Sequence, residues 1–290
     1  MFDAEHMPGP VRCATWQEEI KQHPWLEFYL THQAGAAFTV GADSHNNLGL
    51  SDLELRQIKA TYFGMIAEVD AQVGRLLNHL KETGSYDNTM IIFTSDHGET
   101  LGDHWAHSKF TYFEETFHVP LIVRDPSREA DQTRGSIIEA FTEGVDLMPT
   151  ILDAIGGDIP AQCDGHSLLP FCHGSSPNNW RQESHMEFDL RSPYDNKIPP
   201  PLGLAMQQCM ATIIRGERYK YVHFTALPPL LFDLQEDPDE FHNLADDPAC
   251  QDIRIEYAEK LLSWRMEHDE PALTDLGLLP DGSVEYGVRG

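Results

Sequence analysis

The clearest hydrophobic pattern in the chain is a stripe of apolar residues between positions 58 and 80. They recur at spacings of three and four, at Ile58, Tyr62, Ile66, Val69, Val73, Leu76, Leu77 and Leu80. This spacing is typical of one face of an amphipathic helix. The preceding "SDLE" has the form of a capping box, in which Ser51 is the N-cap and Glu54 reaches back. The pattern predicts one long helix from Ser51 to about Gly84.

Two continuous apolar runs predict strands. "NTMIIFTS" occupies residues 88–95, and "VPLIVRD" occupies residues 119–125. Runs without alternation favour strands covered on both faces, as in a parallel or mixed sheet with helices on either side. "DLMPTILDAI" at 146–155 then predicts a helix that Asp146 caps and two glycines end. These elements indicate an α/β arrangement.

The pattern changes after residue 157. Residues 158–206 are rich in Gly, Pro, Ser and Asn and contain one predicted strand, "SHMEFDL". Residues 208–224 predict a hairpin with Gly216 and Glu217 in its turn, "PLLFDLQEDP" a further strand, and residues 249–267 a helix. Residues 1–50 show weak periodicity, and "GAAFTVGADSHNNLG" reads as loop.

Three segments follow from this pattern. Residues 1–157 are predicted as the α/β core with the candidate site, and residues 158–270 as a smaller α+β subdomain. Residues 271–290 form a tail with a loop or small hairpin around Asp281 and Gly282. We interpret this tail as a candidate oligomerisation arm, so a homo-oligomer is among the expected assemblies.

Charge and composition limit the partners. The 290 residues carry 47 acidic and 20 basic side chains, a formal net charge of −27, which disfavours nucleic acid and anionic membranes. No stretch approaches the ~18 consecutive apolar residues of a membrane helix, and no signal-peptide pattern follows the first residue. The cysteine number is odd, at five, and no two form a CxxC pair, which fits a reducing compartment and favours the cytoplasm.

Candidate chemistry is concentrated in "TSDHGETLGDHWAHSKFTYFEE", residues 94–115. Asp96 and His97 directly follow a predicted strand, the position at which α/β sheets bind ligands. A carboxylate and an imidazole together suit Mn²⁺, Zn²⁺, Mg²⁺ or Ca²⁺. Lys109 lies a loop's length away and could hold an anionic group over the metal. The structural alternative is a turn with a capping Asp and a solvated His, and the spacing alone leaves it open.

Four longer stretches carry a family resemblance. They are "ATYFGMIAEVDAQVGRLLNHLKETGSYDNTMIIFTSDHGETLGDHWAHSKFTYFEETFHVPLIVRDP", "GVDLMPTILDAIGGDIPAQCDGHSLLP", "RYKYVHF" and "LFDLQEDPDEFHNLADDP". In this order they resemble the sulfatase branch of the alkaline-phosphatase superfamily, in particular arylsulfatases and phosphonate monoester hydrolases. The resemblance implies an alkaline-phosphatase-like α/β sandwich with a mixed, mostly parallel sheet that is incomplete at its N-terminus. A small C-terminal antiparallel sheet and a helix complete the expected fold.

The resemblance also implies roles for individual residues. Asp96 and His97 match the pair that ligates the divalent metal, for which Mn, Ca, Mg and Zn are the candidates. Lys109 matches the lysine that contacts the oxygens of a small sulfate or phosphonate ester, and His104 in "LGDH" lies near that substrate. Three further matches are read as structural, namely Asp146 as a helix cap, Asp164 as a turn residue and Asn243 as a loop anchor.

The nucleophile that the resemblance implies does not occur in the sequence. The family uses a Cys or Ser in C/S-x-P-x-R, oxidised to formylglycine, and no stretch of the 290 residues fits this motif. We therefore expect the chain to be the C-terminal half to two thirds of a hydrolase, inactive alone and exposing apolar surface.

Two alternatives stay open. One is a non-catalytic remnant or binding module that keeps the sulfatase scaffold. The other is a phosphomutase or nucleotide pyrophosphatase of the same superfamily, which the "LGDH…K" segment disfavours.

Overall fold

The architecture comes from a computed structural model that describes residues 2–32, 47–160, 162–191 and 201–268, and the backbone of 276–278 and 284–286. Its helices are α1 (Trp16–Glu19), α2 (Pro24–His32), α3 (Asp52–Glu82), α4 (Glu114–Phe117), α5 (Leu147–Ala154), α6 (Leu169–Cys172) and α7 (Gln251–Glu267). Its strands are β1 (Ile91–Thr94), β2 (Leu121–Arg124), β3 (Ser184–Asp189), β4 (Met210–Arg215), β5 (Tyr219–Phe224), β6 (Leu230–Asp233), β7 (Leu276–Leu278) and β8 (Val284–Tyr286).

The predicted long helix is confirmed, together with its capping box. Ser51 accepts a hydrogen bond from the backbone of Glu54, and the Glu54 carboxylate accepts one from the Ser51 backbone at 2.7 Å. The helix is 31 residues long, and its buried residues all lie in its first three turns. Ile66, Val69 and Leu76 of the apolar stripe are 49%, 52% and 58% exposed. Of the stripe, only Ile58 is buried, and the later residues are half-buried or exposed.

Strands β1 and β2 pair antiparallel, with Ile91 opposite Arg124 and Thr94 opposite Leu121. The fold class is confirmed as α/β with a small C-terminal antiparallel sheet and a helix, but all strand pairs among the described residues are antiparallel. The expectation that both faces of β1 and β2 are covered is wrong for the described chain. Phe93 is 37% exposed and Ile122 62% exposed, because no described element packs over these side chains.

The C-terminal sheet has four strands in the order β3-β4-β5-β6. The predicted hairpin joins β4 to β5 and turns after Arg215. Helix α7 packs on one face of this sheet, where Tyr257 and Leu261 contact Ile214, Tyr221 and Leu231. The predicted strand at 184–190 and the helix at 249–267 are thus confirmed.

The other face of this sheet belongs to the main core, which sequence patterns did not reveal. Helix α2 contributes Trp25, Leu26 and Leu30 to it, although residues 1–50 show weak periodicity. These side chains meet Tyr112 and Phe113 of the candidate site loop, and the loop therefore packs directly against the sheet. Because this core joins residues on both sides of position 157, the proposed segment boundaries stay a prediction.

A buried ammonium fixes the site loop to the C-terminal sheet. Lys220 of β5 is fully buried, and its Nζ lies 2.7 Å from Glu240 Oε1 and 3.2 Å from Glu114 Oε1. Glu240 Oε2 also accepts a hydrogen bond from the backbone of Glu114 at 2.8 Å. Burial opposes the charged lysine, but the two carboxylates outweigh it and raise the pKa of Lys220.

Three residues read as structural have different outcomes. Asn243 is confirmed as a loop anchor, because its Oδ1 accepts hydrogen bonds from the backbones of Leu231 and Ala245, each at 3.0 Å. Asp146 occupies the N-cap position of α5 as predicted, but its side chain makes no capping hydrogen bond there. That buried carboxylate instead takes the Arg181 guanidinium and the backbone N–H groups of Glu143 and His166. Asp164 is exposed.

Strands β7 and β8 pair as the small hairpin predicted for the tail, and the residues that connect them lie outside the described ranges. Most of the predicted loop at 35–49 also lies outside the described ranges. Among the described residues, no helix combines the length and apolar character that a membrane span requires.

Replacing Lys220 with methionine should destabilise the protein strongly. The substitution leaves the fully buried Glu240 without a cation and Glu114 with only Arg215, at 3.4 Å, a change that costs on the order of 3–5 kcal/mol of the free energy of unfolding. Urea denaturation measures the loss. The matched control is Lys260→Met, since Lys260 is 40% exposed and its ion pairs contribute less than about 1 kcal/mol. Equal losses in the two variants would contradict this role for the buried cluster.

Stability should fall as the pH is lowered from 6.5 towards 4. Burial lowers the pKa of His23 to about 4, so between these values the unfolded chain takes up a proton that the folded chain does not. One such group reduces the free energy of unfolding by about 2 kcal/mol between pH 6.5 and 5. Urea titrations at several pH values should show a shallower acid slope for His23→Gln. His6→Gln, at an exposed histidine, should keep the parent slope, and an unchanged slope in His23→Gln would refute the assignment.

Candidate metal and anion site

The candidate ligand pair lies where β1 ends. Asp96 and His97 follow that strand by two and three residues, and their side chains are 84% and 34% exposed. Asp96 Oδ2 lies 3.5 Å from His97 Nε2, a separation that lets both atoms reach one ion at about 2.2 Å. The backbone N–H of His97 donates to Asp96 Oδ1 at 3.1 Å, which orients the carboxylate.

The hydrogen bond at the other ring nitrogen sets the tautomer of His97. Nδ1 lies 2.8 Å from the carbonyl oxygen of Gly98. A carbonyl can only accept, so Nδ1 carries the hydrogen and Nε2 of the neutral ring keeps its lone pair. Metal-binding histidines typically show this arrangement, in which the second nitrogen donates to a carbonyl or carboxylate. The donor set of Asp96 and His97 therefore fits a divalent ion.

Gly98 allows the strand end to contact α4. A Cβ at this position would lie 1.8 Å from the carbonyl oxygen of Glu115, so no larger residue fits. The Gly98 N–H donates to the carbonyl of Thr116 at 2.8 Å. One carboxylate oxygen of Glu115 is buried without a hydrogen-bond partner among the described residues. The ligand pair is thus held against a short helix that the sequence pattern did not predict.

The loop after Gly98 folds back on its own first residues. The Thr100 N–H donates to the carbonyl of Ser108 at 3.2 Å, and the Glu99 carboxylate accepts from the backbone of Leu101 and of Ser108. Lys109 follows directly, is partly exposed, and makes no ion pair or side-chain hydrogen bond with the described residues. Its ammonium is therefore free to take an anion.

The return is made with unusual backbone conformations. Leu101, His104, Trp105 and Ser108 all have positive φ, between 49° and 72°. For residues other than glycine this costs on the order of 1–3 kcal/mol each, and such strain is typical of functional loops. The surrounding contacts must supply the compensation. Asp103, for example, accepts hydrogen bonds from the Val11 backbone and from Lys59.

His104 is among the buried supports of this loop. Its ring is fully buried, stacks on Phe113 with centroids 3.5 Å apart, and holds Glu19 Oε1 at 2.8 Å through Nδ1. Nε2 has no hydrogen-bond partner among the described residues. These are the contacts of a loop anchor, and the predicted substrate contact of His104 stays a prediction. His107 is also buried, which lowers its pKa to about 4 and keeps it neutral.

Asp96 and His97 alone do not make a complete metal site. Among the described residues, no group of three or more His, Cys, Asp and Glu side chains comes together in a way that could hold a metal ion. Two protein ligands leave most of the coordination sphere of Ca²⁺ or Mn²⁺ to water or to other residues.

Sequence reasoning missed Glu99 and Glu19. Glu99 stands inside the quoted stretch, and an acidic residue before a returning loop was an available signal. Glu19 is 85 positions from His104, and no local pattern could have indicated that pairing.

Two family models match the chain. A model described as Sulfatase matches residues 10–157, which include Asp96, His97 and Lys109. A second, described as N-sulphoglucosamine sulphohydrolase, C-terminal, matches residues 102–267.

Individual proteins are also similar to this chain in sequence. The multifunctional alkaline phosphatase superfamily protein PehA of Trinickia caryophylli is 45% identical over 282 residues, covering 97% of this chain and 54% of PehA. Arylsulfatase K of Canis lupus familiaris is 32% identical over 243 residues, covering 81% of this chain and 40% of that protein. The chain thus spans about half the length of these relatives, or less.

Solved structures extend the likeness to three dimensions. The phosphonate monoester hydrolase of Agrobacterium radiobacter matches 98% of this chain and 56% of its own, with a TM-score of 0.89 and 39% identity. The enzyme SpPMH of Silicibacter pomeroyi matches 100% of this chain and 56% of its own, with a TM-score of 0.88 and 36% identity. The chain belongs to the sulfatase family of the alkaline-phosphatase superfamily.

Proposed function

We propose that this chain supplies part of the active site of a hydrolase that cleaves sulfate or phosphonate monoesters. We call this part, formed by Asp96, His97 and Lys109, the metal corner. The observation that carries the proposal is the Asp96–His97 pair at the end of β1, with Nδ1 of His97 bonded to a carbonyl and Nε2 free. The names of the relatives, a phosphonate monoester hydrolase and an arylsulfatase among them, supply the reaction class.

Each residue has a distinct task in this proposal. Asp96 and His97 hold a divalent ion, for which Mn²⁺, Ca²⁺, Mg²⁺ and Zn²⁺ all fit an oxygen–nitrogen donor pair. When bound, the ion supplies positive charge that polarises an oxygen of the sulfuryl or phosphoryl group. Lys109 offers its unpaired ammonium to another oxygen of the same group and offsets the negative charge of the transition state. His104 is proposed to support substrate binding from within the loop.

The nucleophile must come from residues other than these 290, since none of them forms C/S-x-P-x-R. We propose that a polypeptide segment with this motif completes the site and covers the apolar surface of α3, β1 and β2. Support for this comes from Phe63, Ile66 and Val69, which are 38%, 49% and 52% exposed, and from Ile122, which is 62% exposed. Soluble proteins rarely leave such a surface uncovered.

The absent motif also favours a second candidate, a non-catalytic remnant or binding module. The two candidates differ in one measurable property. A binding module keeps anion or metal affinity and gains no turnover when the missing part is supplied, whereas the hydrolase gains it.

The surroundings of the protein are likewise proposals. The five free thiols fit a cytoplasmic location, and the tail fits a homo-oligomer. The acidic surface fits a small ester as the partner and disfavours nucleic acid and anionic membranes.

Metal binding tests the corner itself. Mn²⁺ titrated into the chain and followed by the electron paramagnetic resonance signal of the free ion should bind weakly, because only two protein ligands are present. Asp96→Ala should weaken binding by about tenfold or more. Asp158→Ala removes an exposed carboxylate of the same charge elsewhere and should leave the affinity unchanged. Equal effects of the two variants would show that the ion binds to the acidic surface in general.

Reconstitution tests the completed enzyme. The part of PehA that this chain does not match, co-expressed with the chain, should co-purify with it and produce hydrolysis of an aryl sulfate or an aryl phosphonate monoester. The chain alone should show no turnover. Val69→Asp on the exposed face of α3 should abolish association, while Ile255→Asp on α7, at 45% exposure, should not. Association without turnover would favour the binding module, and turnover by the chain alone that Asp96→Ala abolishes would refute the need for a second segment.

A further inference from the structure

A second cationic site lies at the far end of the β1–β2 ladder. A pocket of about 470 Å³ opens there beside Arg124, the residue opposite Ile91 at the start of β1. Asp96 and His97 follow the other end of β1, so the pocket and the candidate metal site lie at opposite ends of the ladder. The charged and aromatic residues that line the pocket are Tyr86, Asp87, Arg124, Arg128, Asp131 and Arg134. Its volume is in the range of ordinary small-ligand sites.

Arg124 is held in place before any ligand arrives. Its Nη1 donates to the carbonyl oxygens of Tyr86 and Thr89, each at 2.9 Å, and its guanidinium lies 3.9 Å from the centroid of the Tyr86 ring. The nearest carboxylate is the exposed Asp87, whose Oδ1 is 3.9 Å from Nη2. These contacts fix the plane of the guanidinium and leave the exposed Asp87 as the one ion-pair partner of Nη2 among the described residues. A fixed guanidinium loses little side-chain entropy when it binds an oxyanion.

A second arginine forms another wall of the pocket. Arg134 donates to the carbonyl oxygens of Asp125 and Ser127, at 3.0 and 3.2 Å, and pairs with Asp131. Asp125 is itself buried and accepts from the Ser127 backbone at 2.8 Å and from His173 Nε2 at 2.7 Å. The loop that forms this wall is therefore fixed by hydrogen bonds at both ends.

Arg128 is the unpaired cation of the pocket lining. Its side chain is exposed and makes no hydrogen bond or ion pair with the described residues. Lys81 adds a further positive charge nearby, with Nζ 5.2 Å from the centroid of the Tyr86 ring. The lining itself carries three guanidinium groups and two carboxylates, so this place is locally positive in a chain with a net charge of −27.

We propose that this pocket binds a tetrahedral oxyanion, phosphate or sulfate, as a site separate from the metal corner. Guanidinium groups bind such anions through paired N–H donors, and Arg128 is the group free to do so. The oxyanion could arrive as a free ion or as the charged group of an ester. The proposal does not depend on the hydrolase function, since the pocket shares no residue with Asp96, His97 or Lys109.

Isothermal titration of the chain with inorganic phosphate at low ionic strength, in the presence of EDTA, tests the site. EDTA removes metal that would draw phosphate to Asp96 and His97. Arg128→Gln should weaken phosphate binding by about tenfold, and Arg128→Lys by less, because the charge remains while the forked donor is lost. Arg128 is exposed and unpaired, so these variants should fold like the parent. Phenyl phosphate in a parallel titration distinguishes an esterified phosphate from the free ion as the better ligand.

Two controls separate this pocket from other sources of binding. Arg75→Gln removes an exposed guanidinium on α3 and should leave the phosphate affinity unchanged. Lys109→Gln removes the cation of the candidate catalytic corner and should also leave it unchanged. The proposal is overturned by an absence of phosphate binding, by unaltered binding in Arg128→Gln, by an equal loss in Arg75→Gln, or by a loss in Lys109→Gln.

Discussion

One buried ammonium joins the C-terminal sheet to the loop that carries the candidate site. Lys220 of β5 contacts Glu114, the first residue of α4, and Glu240 binds the backbone of the same residue. Helix α4 in turn accepts the Gly98 N–H through the carbonyl of Thr116, and Gly98 directly follows His97. A continuous path of hydrogen bonds therefore runs from the middle of the sheet to the ligand pair. A buried ion cluster adds little net stability compared with an apolar core of similar volume, but removing one of its partners is strongly destabilising.

This acidic protein has two candidate anion sites, one at Lys109 and one at the arginine pocket. Lys109 follows a strained loop that Glu99 closes, and Arg124 and Arg134 are held by backbone carbonyls. In a chain with 47 acidic and 20 basic side chains, carboxylates compete with any incoming anion for each cation. Lys109 and Arg128 make no ion pair with the described residues, so each of the two sites keeps one cation available to an anion.

Local patterns predicted the elements whose causes are local. The capping box fixed the start of α3 at Ser51, and Gly216 marked the β4–β5 turn, because both depend on residues within four positions. Helix α2 was missed, since its apolar residues are matched to partners more than 70 positions away. Asp146 shows the same limit. Its position predicted a helix cap, but Arg181, 35 residues later, takes the carboxylate instead. The strand-end pair Asp96–His97 was predictable as a pair, whereas its support by Gly98 and α4 required the three-dimensional structure.

The exposure of Asp96 relates the exposed apolar surface of α3, β1 and β2 to the binding of a metal and an anion. A carboxylate that is 84% exposed interacts with a cation through a medium close to bulk water, where a pair of unit charges at 4 Å is worth about 1 kcal/mol. At an effective dielectric constant of about 20, typical of a partly covered protein site, the same pair is worth about 4 kcal/mol. Covering the apolar side chains of α3, β1 and β2 would lower the dielectric constant along the strand that ends at this carboxylate. The same event would strengthen the grip of Asp96 and His97 on a metal and of Lys109 on an anion. In the proposed hydrolase, covering this hydrophobic surface and strengthening the site would therefore be one process, because both remove water from the end of β1.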